Sequence, residues 1–248
     1  MMSLVNPSLI QIVKKQYVYK LRAYMDLYTR LVLSQIVAIL FSLNGLGMMG
    51  ARGGVFEVSV HFYSADLVVI FSILWAFITA ILTTTKAIRN GDFLFVTNRV
   101  SSNLSNILFL LTASFIGAAT AMMSTYLMKV IIYYFMDHHY VDTQGPMEAP
   151  LELLFGIFTT TLYLFLFCAL GYLIGVLVQL YKGFIFILPA IFIGTIFLRE
   201  GNTGLVTSVF KFFFMETSLP IFITKVVITS CLLFICAMGL SNRMEVNQ

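Results

Sequence analysis

The chain has 248 residues, of which 60% are hydrophobic, 15% aromatic and only 10% charged, with a formal net charge of +4. Soluble domains are about 25% charged and ~45–50% apolar, so a surplus spread along the whole chain, at a mean hydropathy of +0.95, exceeds what one globular core buries. That excludes a soluble enzyme, a disordered chain and a disulfide-stapled secreted mini-protein, and points to an all-α polytopic membrane protein.

The first thirty residues carry Lys14, Lys15, Lys20, Arg22 and Arg30 and lack a short apolar core with a small-residue cleavage site. No cleavable signal peptide is expected. Over residues 8–30, Val13, Tyr17, Leu21, Tyr24 and Tyr28 recur at helical spacing with basic residues among them. The pattern predicts an amphipathic interfacial helix, its aromatics in the headgroup zone and its lysines toward anionic lipid. The competing reading is a helix packed on a partner's surface.

A span needs about 20 mainly apolar residues to cross roughly 30 Å of hydrocarbon. Six segments meet or approach that length, at about 31–49, 65–85, 107–135, 153–180, 184–198 and 221–240. The third and fourth are long enough to tilt or project, while the fifth is short and contains Pro189. Lys and Arg set orientation. With the N-terminus inside, ten of the fifteen fall on cytoplasmic segments: Lys14, Lys15, Lys20, Arg22, Arg30, Lys86, Arg89, Arg99, Lys182 and Arg243. Only Arg52, Arg199 and Lys211 fall on outer loops, and Lys129 and Lys225 lie near outer span ends, where Lys snorkels to the headgroups. Both termini are therefore expected inside.

The connections are too short for an independent domain. The one before the last span, 199–220, holds Leu205, Val206, Val209, Phe210, Phe212, Phe213 and Phe214, too apolar for a solvated loop. It is predicted to fold back against the outer interface as one or two short helices.

Chemistry-bearing motifs are missing. There is no G-x-x-x-x-G-K-[ST] phosphate loop, no H-E-x-x-H and no G-x-S-x-G. His138 and His139 stand beside Asp137 and Asp142, but adjacent histidines diverge and zinc needs three or four converging ligands. Cys168, Cys231 and Cys236 sit in apolar runs and read as small hydrophobic side chains. No metal or cofactor is expected on this chain. No Asp or Glu falls near mid-membrane, which argues against a carrier built on an intramembrane carboxylate. Threonines at 83–85 and 159–161 read mainly as structural, bonding to their own helix backbone. The Gly171-x-x-x-Gly175 pair permits a close helix crossing, read as packing within one subunit ahead of a dimer seam.

The most informative segment is the cytoplasmic loop from Lys86 to Asn103, K-A-I-R-N-G-D-F-L-F-V-T-N-R-V-S-S-N. It sets Phe93, Leu94, Phe95 and Val96 between Asp92 and Arg99. An apolar cluster flanked by charges suggests a docking element for a soluble partner; the alternative is a short helix dipping into the headgroups.

With this loop, a basic interfacial helix, six spans with both ends inside and an apolar outer segment before the last span, the chain resembles the ABC-2-type ABC transporter permeases. In that family the loop after span two often carries a stretch like F-x-x-x-P-[VI]-[ST]-R, a coupling helix in a groove of the ATPase. Here Phe93 through Arg99 stand there, with Val96-Thr97-Asn98-Arg99 in place of Pro-Val-Ser-Arg; the family's proline and its downstream lysine are absent. The resemblance implies that Asp92, Phe93, Phe95 and Arg99 form the ATPase-coupling loop. It implies a non-enzymatic permease half, paired with a second six-span subunit and with cytoplasmic ABC ATPases that bind the ATP. It also implies a bacterial plasma-membrane exporter of an amphipathic cargo such as a peptide antibiotic, a drug or a lipid-linked molecule. The rival is a non-transporting sensor, immunity or assembly subunit that binds a hydrophobic peptide or partner helix.

Orientation is open to direct test. With single cysteines in a cysteine-free background, an impermeant thiol reagent added to intact cells should label Gln144→Cys and spare Asn103→Cys. The reverse pattern would invert the topology.

Overall fold

Hydrocarbon offers backbone N–H and C=O groups no water, so apolar segments of this length fold as helices. The computed structural model describes residues 8–43, 47–53, 56–62, 66–85, 88, 99–135, 150–197, 205–216 and 218–243. In chain order the elements are α1 (Leu9–Ala23), α2 (Met25–Ser42), strands β1 (Gly47–Gly53) and β2 (Phe56–Phe62), α3 (Asp66–Thr84), α4 (Arg99–Phe135), α5 (Pro150–Leu180), α6 (Phe184–Phe197), α7 (Leu205–Phe214) and α8 (Leu219–Arg243). Five helices, α2, α3, α4, α5 and α8, are long and apolar enough to cross a membrane. The protein is a multi-pass helical membrane protein.

Local sequence explains most boundaries. Asp66 and Glu152 lie in the first turns of α3 and α5, where negative charge meets the positive helix end. Pro150 opens α5 at the one helical position where its missing N–H costs nothing. The first span differs from expectation at both ends. It begins at Met25 and not at 31, and Asp26 and Arg30 pair at 2.7 Å within its first two turns. It stops at Ser42 and not at 49, since Gly45, Gly47 and Gly50 each penalise a helix by about 1 kcal/mol. Residues 47–49 instead enter β1, which pairs antiparallel with β2, Gly47 opposite Phe62. Among the described residues this hairpin is the strand-forming exception.

The interfacial helix expected over 8–30 also takes another form. Residue Tyr24 breaks it from α2, and its aromatic stripe faces protein. Val13 is buried, Tyr17, Leu21, Tyr24 and Tyr28 pack against the main core, and Tyr24 meets Phe109 edge-on at 5.9 Å. Lys14, Lys15 and Arg22 remain exposed.

Contacts set the helix directions. Lys20 meets Ser105, Tyr28 meets Phe109 and Gln35 meets Thr120, so α1 and α2 together follow α4 in the same direction. Leu27 meets Trp75 and Gln35 meets Ser72, so α3 runs against α2. Asn103 meets Tyr172 and Ser114 meets Cys168, so α5 runs against α4. Phe222 packs on Tyr163 and Phe234 on Tyr172, so α8 runs with α5. Two helices that run the same way need a return path. Between α5 and α8 that path contains α6, whose 14 residues span about 21 Å and are interrupted by Pro189. The described start of α1 and the end of α8 consequently lie at one end of the bundle, called here the α1 end.

At the centre, α3 and α5 meet at backbone distance. A Cβ on Gly171 would collide with the Phe77 carbonyl oxygen, and one on Gly175 with the Thr84 hydroxyl. The Gly-x-x-x-Gly pair thus serves packing inside the subunit. Asn103, expected in the loop, lies instead within α4 and is buried, so a silent cysteine there would report burial and not sidedness. The exposed Lys182 is the informative counterpart to Gln144, which lies outside the described residues.

Gly171→Ala and Gly175→Ala should each lower thermal stability in detergent by about 1–3 kcal/mol through overpacking. Gly194→Ala and Gly239→Ala, which meet nothing within 4 Å, should be neutral or raise it by up to ~1 kcal/mol. Equal losses at all four positions would refute the close-approach account.

Candidate functional site

Asp92, Phe93 and Phe95 lie outside the described residues, and Arg99 is the first residue of α4. The structure does describe what holds the two ends of their segment. At one end, the Thr84 carbonyl closing α3 accepts a hydrogen bond from Gln179 Nε2 of α5. The Thr84 and Thr85 hydroxyls turn back on the Ile81 and Leu82 carbonyls, each at 2.7 Å, as expected for helical threonines.

The other end is the first two turns of α4, where Ser101, Asn103, Ser105 and Asn106 are all buried. They are covered on one side by α1 and on the other by α5. Lys20 reaches in from α1 and is fully buried. Its Nζ donates to Asn106 Oδ1 at 2.5 Å, to Ser105 Oγ at 2.8 Å and to the Ser102 carbonyl at 3.4 Å. An ammonium carries three protons, and α4 supplies three acceptors within five residues. Asn106 Nδ2 in turn donates to the Tyr172 hydroxyl at 3.3 Å, and Tyr172 donates to Asn103 Oδ1 at 2.9 Å. A hydrogen-bond chain therefore runs from α1 through α4 to α5, and the Tyr172 ring packs on Phe234 of α8 at 5.7 Å.

Sequence reasoning sent Lys20 toward lipid and gave Asn106 no role. A signal was present: Gln16 and Lys20 fall on the stripe of Val13, Tyr17, Leu21 and Tyr24, so a helix burying that stripe buries them too. Gln16 is fully buried, and neither amide atom has a hydrogen-bond partner among the described residues.

A second polar cluster occupies the opposite end. Tyr163 donates to the Phe213 carbonyl at 2.9 Å, stacks on Phe214 at 4.9 Å and touches Phe222, which ties α7 to α5 and α8. Lys225, expected to snorkel to the headgroups, instead pairs with Glu216 and lies 4.3 Å from the Phe212 ring centre. Glu216, Thr159, Tyr163, Leu219 and Phe222 line a small cavity of about 140 Å³. The Lys225 ammonium holds the Glu216 carboxyl below its ordinary value of 4.5. A depressed carboxylate stabilises the folded state above that range, and the contribution is lost as pH falls through the lowered value. Among the described residues no three His, Cys, Asp or Glu side chains converge as a metal site would require.

Set against protein-family models, curated proteins and solved structures, the chain matches none. The geometry stands by itself. The cross-helix bonds hold α1, α4 and α5 in register.

Tyr172→Phe removes the hydroxyl shared by Asn103 and Asn106 while keeping the ring on Phe234. It should lower thermal stability by about 1 kcal/mol, the usual net value of a buried hydrogen bond. No change in melting would show that the hydroxyl link is idle.

Proposed function

We propose that the chain is the transmembrane permease subunit of an ATP-binding cassette exporter, forming half of a translocation path and coupling to a separate cytoplasmic ATPase. The observation that carries this reading is the anchoring of the α3–α4 segment. Its α3 end is bonded to α5 through Gln179, and its α4 end to α1 and α5 through Lys20 and Tyr172. A partner gripping Phe93 and Phe95 would pull on several helices at once, as a coupling loop must.

The parallel course of α5 and α8 supports α6, with Pro189 inside its 14 residues, as a sixth crossing. Six crossings put both termini on one face, and the Lys and Arg distribution makes that face cytoplasmic. A second six-span subunit, identical or different, would close the path. The cargo is an amphipathic molecule such as a peptide antibiotic, a drug or a lipid-linked compound, a class taken from the family resemblance.

The test is capture of the ATPase. The purified chain alone should turn over no ATP, since it has no phosphate loop. Wild type should recover the ATPase, and Phe93→Ala, Phe95→Ala should lose it by roughly 30-fold, as removal of a buried aromatic anchor of about 2 kcal/mol implies. Equal recovery at equal expression would reject docking and favour a non-transporting sensor, immunity or assembly subunit.

A further inference from the structure

We propose that Lys20 is a positioning residue that locks α1 to the first two turns of α4, so that the two move as one lever when the adjoining segment is displaced. The lock itself rests on geometry alone; its use in coupling rests on the function proposed above.

Three features carry the lock. Among the described residues Lys20 has three acceptors, and all three lie on α4 between Ser102 and Asn106. A slide of α1 by one turn, about 5.4 Å, breaks every one of them together. The site is buried, so no water takes the place of the lost α4 acceptors, which favours the joined state. Gln16, one turn earlier on the same face, adds no hydrogen bond among the described residues.

The lock is also wired onward. The Asn106 side chain accepts from Lys20 with its oxygen and donates to Tyr172 with its nitrogen, so its orientation is set from both sides. Loss of Lys20 frees that amide to turn, and with it the Tyr172–Asn103 bond to α5. Lys20 thus orients Tyr172 through Asn106 without touching it.

The experiment measures a distance and a coupling ratio in the full-length chain in nanodiscs. Spin labels go on exposed Lys15 of α1 and exposed Leu104 of α4, with Cys231→Ser and Cys236→Ser, and with buried Cys168 left in place. An otherwise wild-type chain should show one narrow distance by pulsed electron paramagnetic resonance. Lys20→Met, which keeps length and loses the donors, should broaden it or add a population displaced by about one turn. The double variant Ser105→Ala, Asn106→Ala removes the same bonds from α4 and should do likewise, so poor folding of one variant leaves the other decisive. A narrow distance in both would overturn the lock.

In the complex with the ATPase, transport per ATP consumed should fall roughly tenfold in Lys20→Met, within the range usual for coupled sites. Tyr172→Phe should reduce the same ratio while keeping the α1–α4 distance narrow, which a merely structural role for Lys20 does not require. A broadened distance with an unchanged ratio would overturn the transmission role. Failure of the wild type to capture any ATPase would instead refute the proposed function, and the distances would then judge the lock by themselves.

Discussion

The contact between α3 and α5 at Gly171 and Gly175 is the constraint on which the other helix positions depend. In lipid, apolar side chains gain little by turning from acyl chains to each other, so close backbone packing supplies much of what holds helices together. With no Cβ at these two positions, α5 lies directly against Phe77, Ala80, Ile81 and Thr84 of α3. That placement brings Cys168 to the Ala76 carbonyl, Gln179 to the Thr84 carbonyl and Tyr172 to Asn103. A spacer of one methyl group at either glycine would loosen all three bonds and shift the floor on which α8 rests.

Around that contact, polar side chains divide into two kinds. Most hydroxyls, such as those of Thr83, Thr161 and Ser230, are answered by carbonyls of their own helix and leave the helix free to be placed by packing. A few reach across. Gln35 of α2 donates to Ser72 of α3 and to Thr120 of α4, and Trp75 of α3 donates to the Leu27 carbonyl of α2. Such bonds set register, because no other axial offset satisfies them. They thicken toward the α1 end, where Lys20, Asn103, Asn106 and Tyr172 join three helices. The exposed faces show the complement: Leu33, Ile36 and Leu40 of α2 and Leu108, Leu111 and Phe115 of α4 turn outward, as a lipid-facing surface requires.

Much of this was legible in the sequence wherever one dominant force decides the outcome. Hydrocarbon length alone places α3, expected over 65–85 and observed over 66–84. The surplus of phenylalanine before the last helix places α7, and the glycine spacing places a tight crossing inside the subunit. Legibility fails where two forces compete. Lys20 carries a charge that favours water and a position that favours burial, and acceptors on α4, more than 80 residues away, tip the balance to burial. Lys225 poses the same question, and Glu216 answers it across the α7–α8 turn. The hairpin replaces the end of the first expected span because glycine's backbone freedom outweighs the apolar methionines around it. Phe93 and Phe95 carry a docking expectation outside the described residues, so the site is read from its anchors.

The distance in sequence between Lys20 and its acceptors also imposes an order of events during synthesis. Ser102, Ser105 and Asn106 follow Lys20 by 82, 85 and 86 residues. At a translation rate of about 5–20 residues per second, the N-terminal helix waits roughly 4–17 s before its acceptors emerge. During that interval the Lys20 ammonium lacks the α4 acceptors that hold it in the finished fold. The membrane surface and the insertion machinery must shelter it until α4 enters, so the first helix takes its seat only once α2 and α3 have already been made.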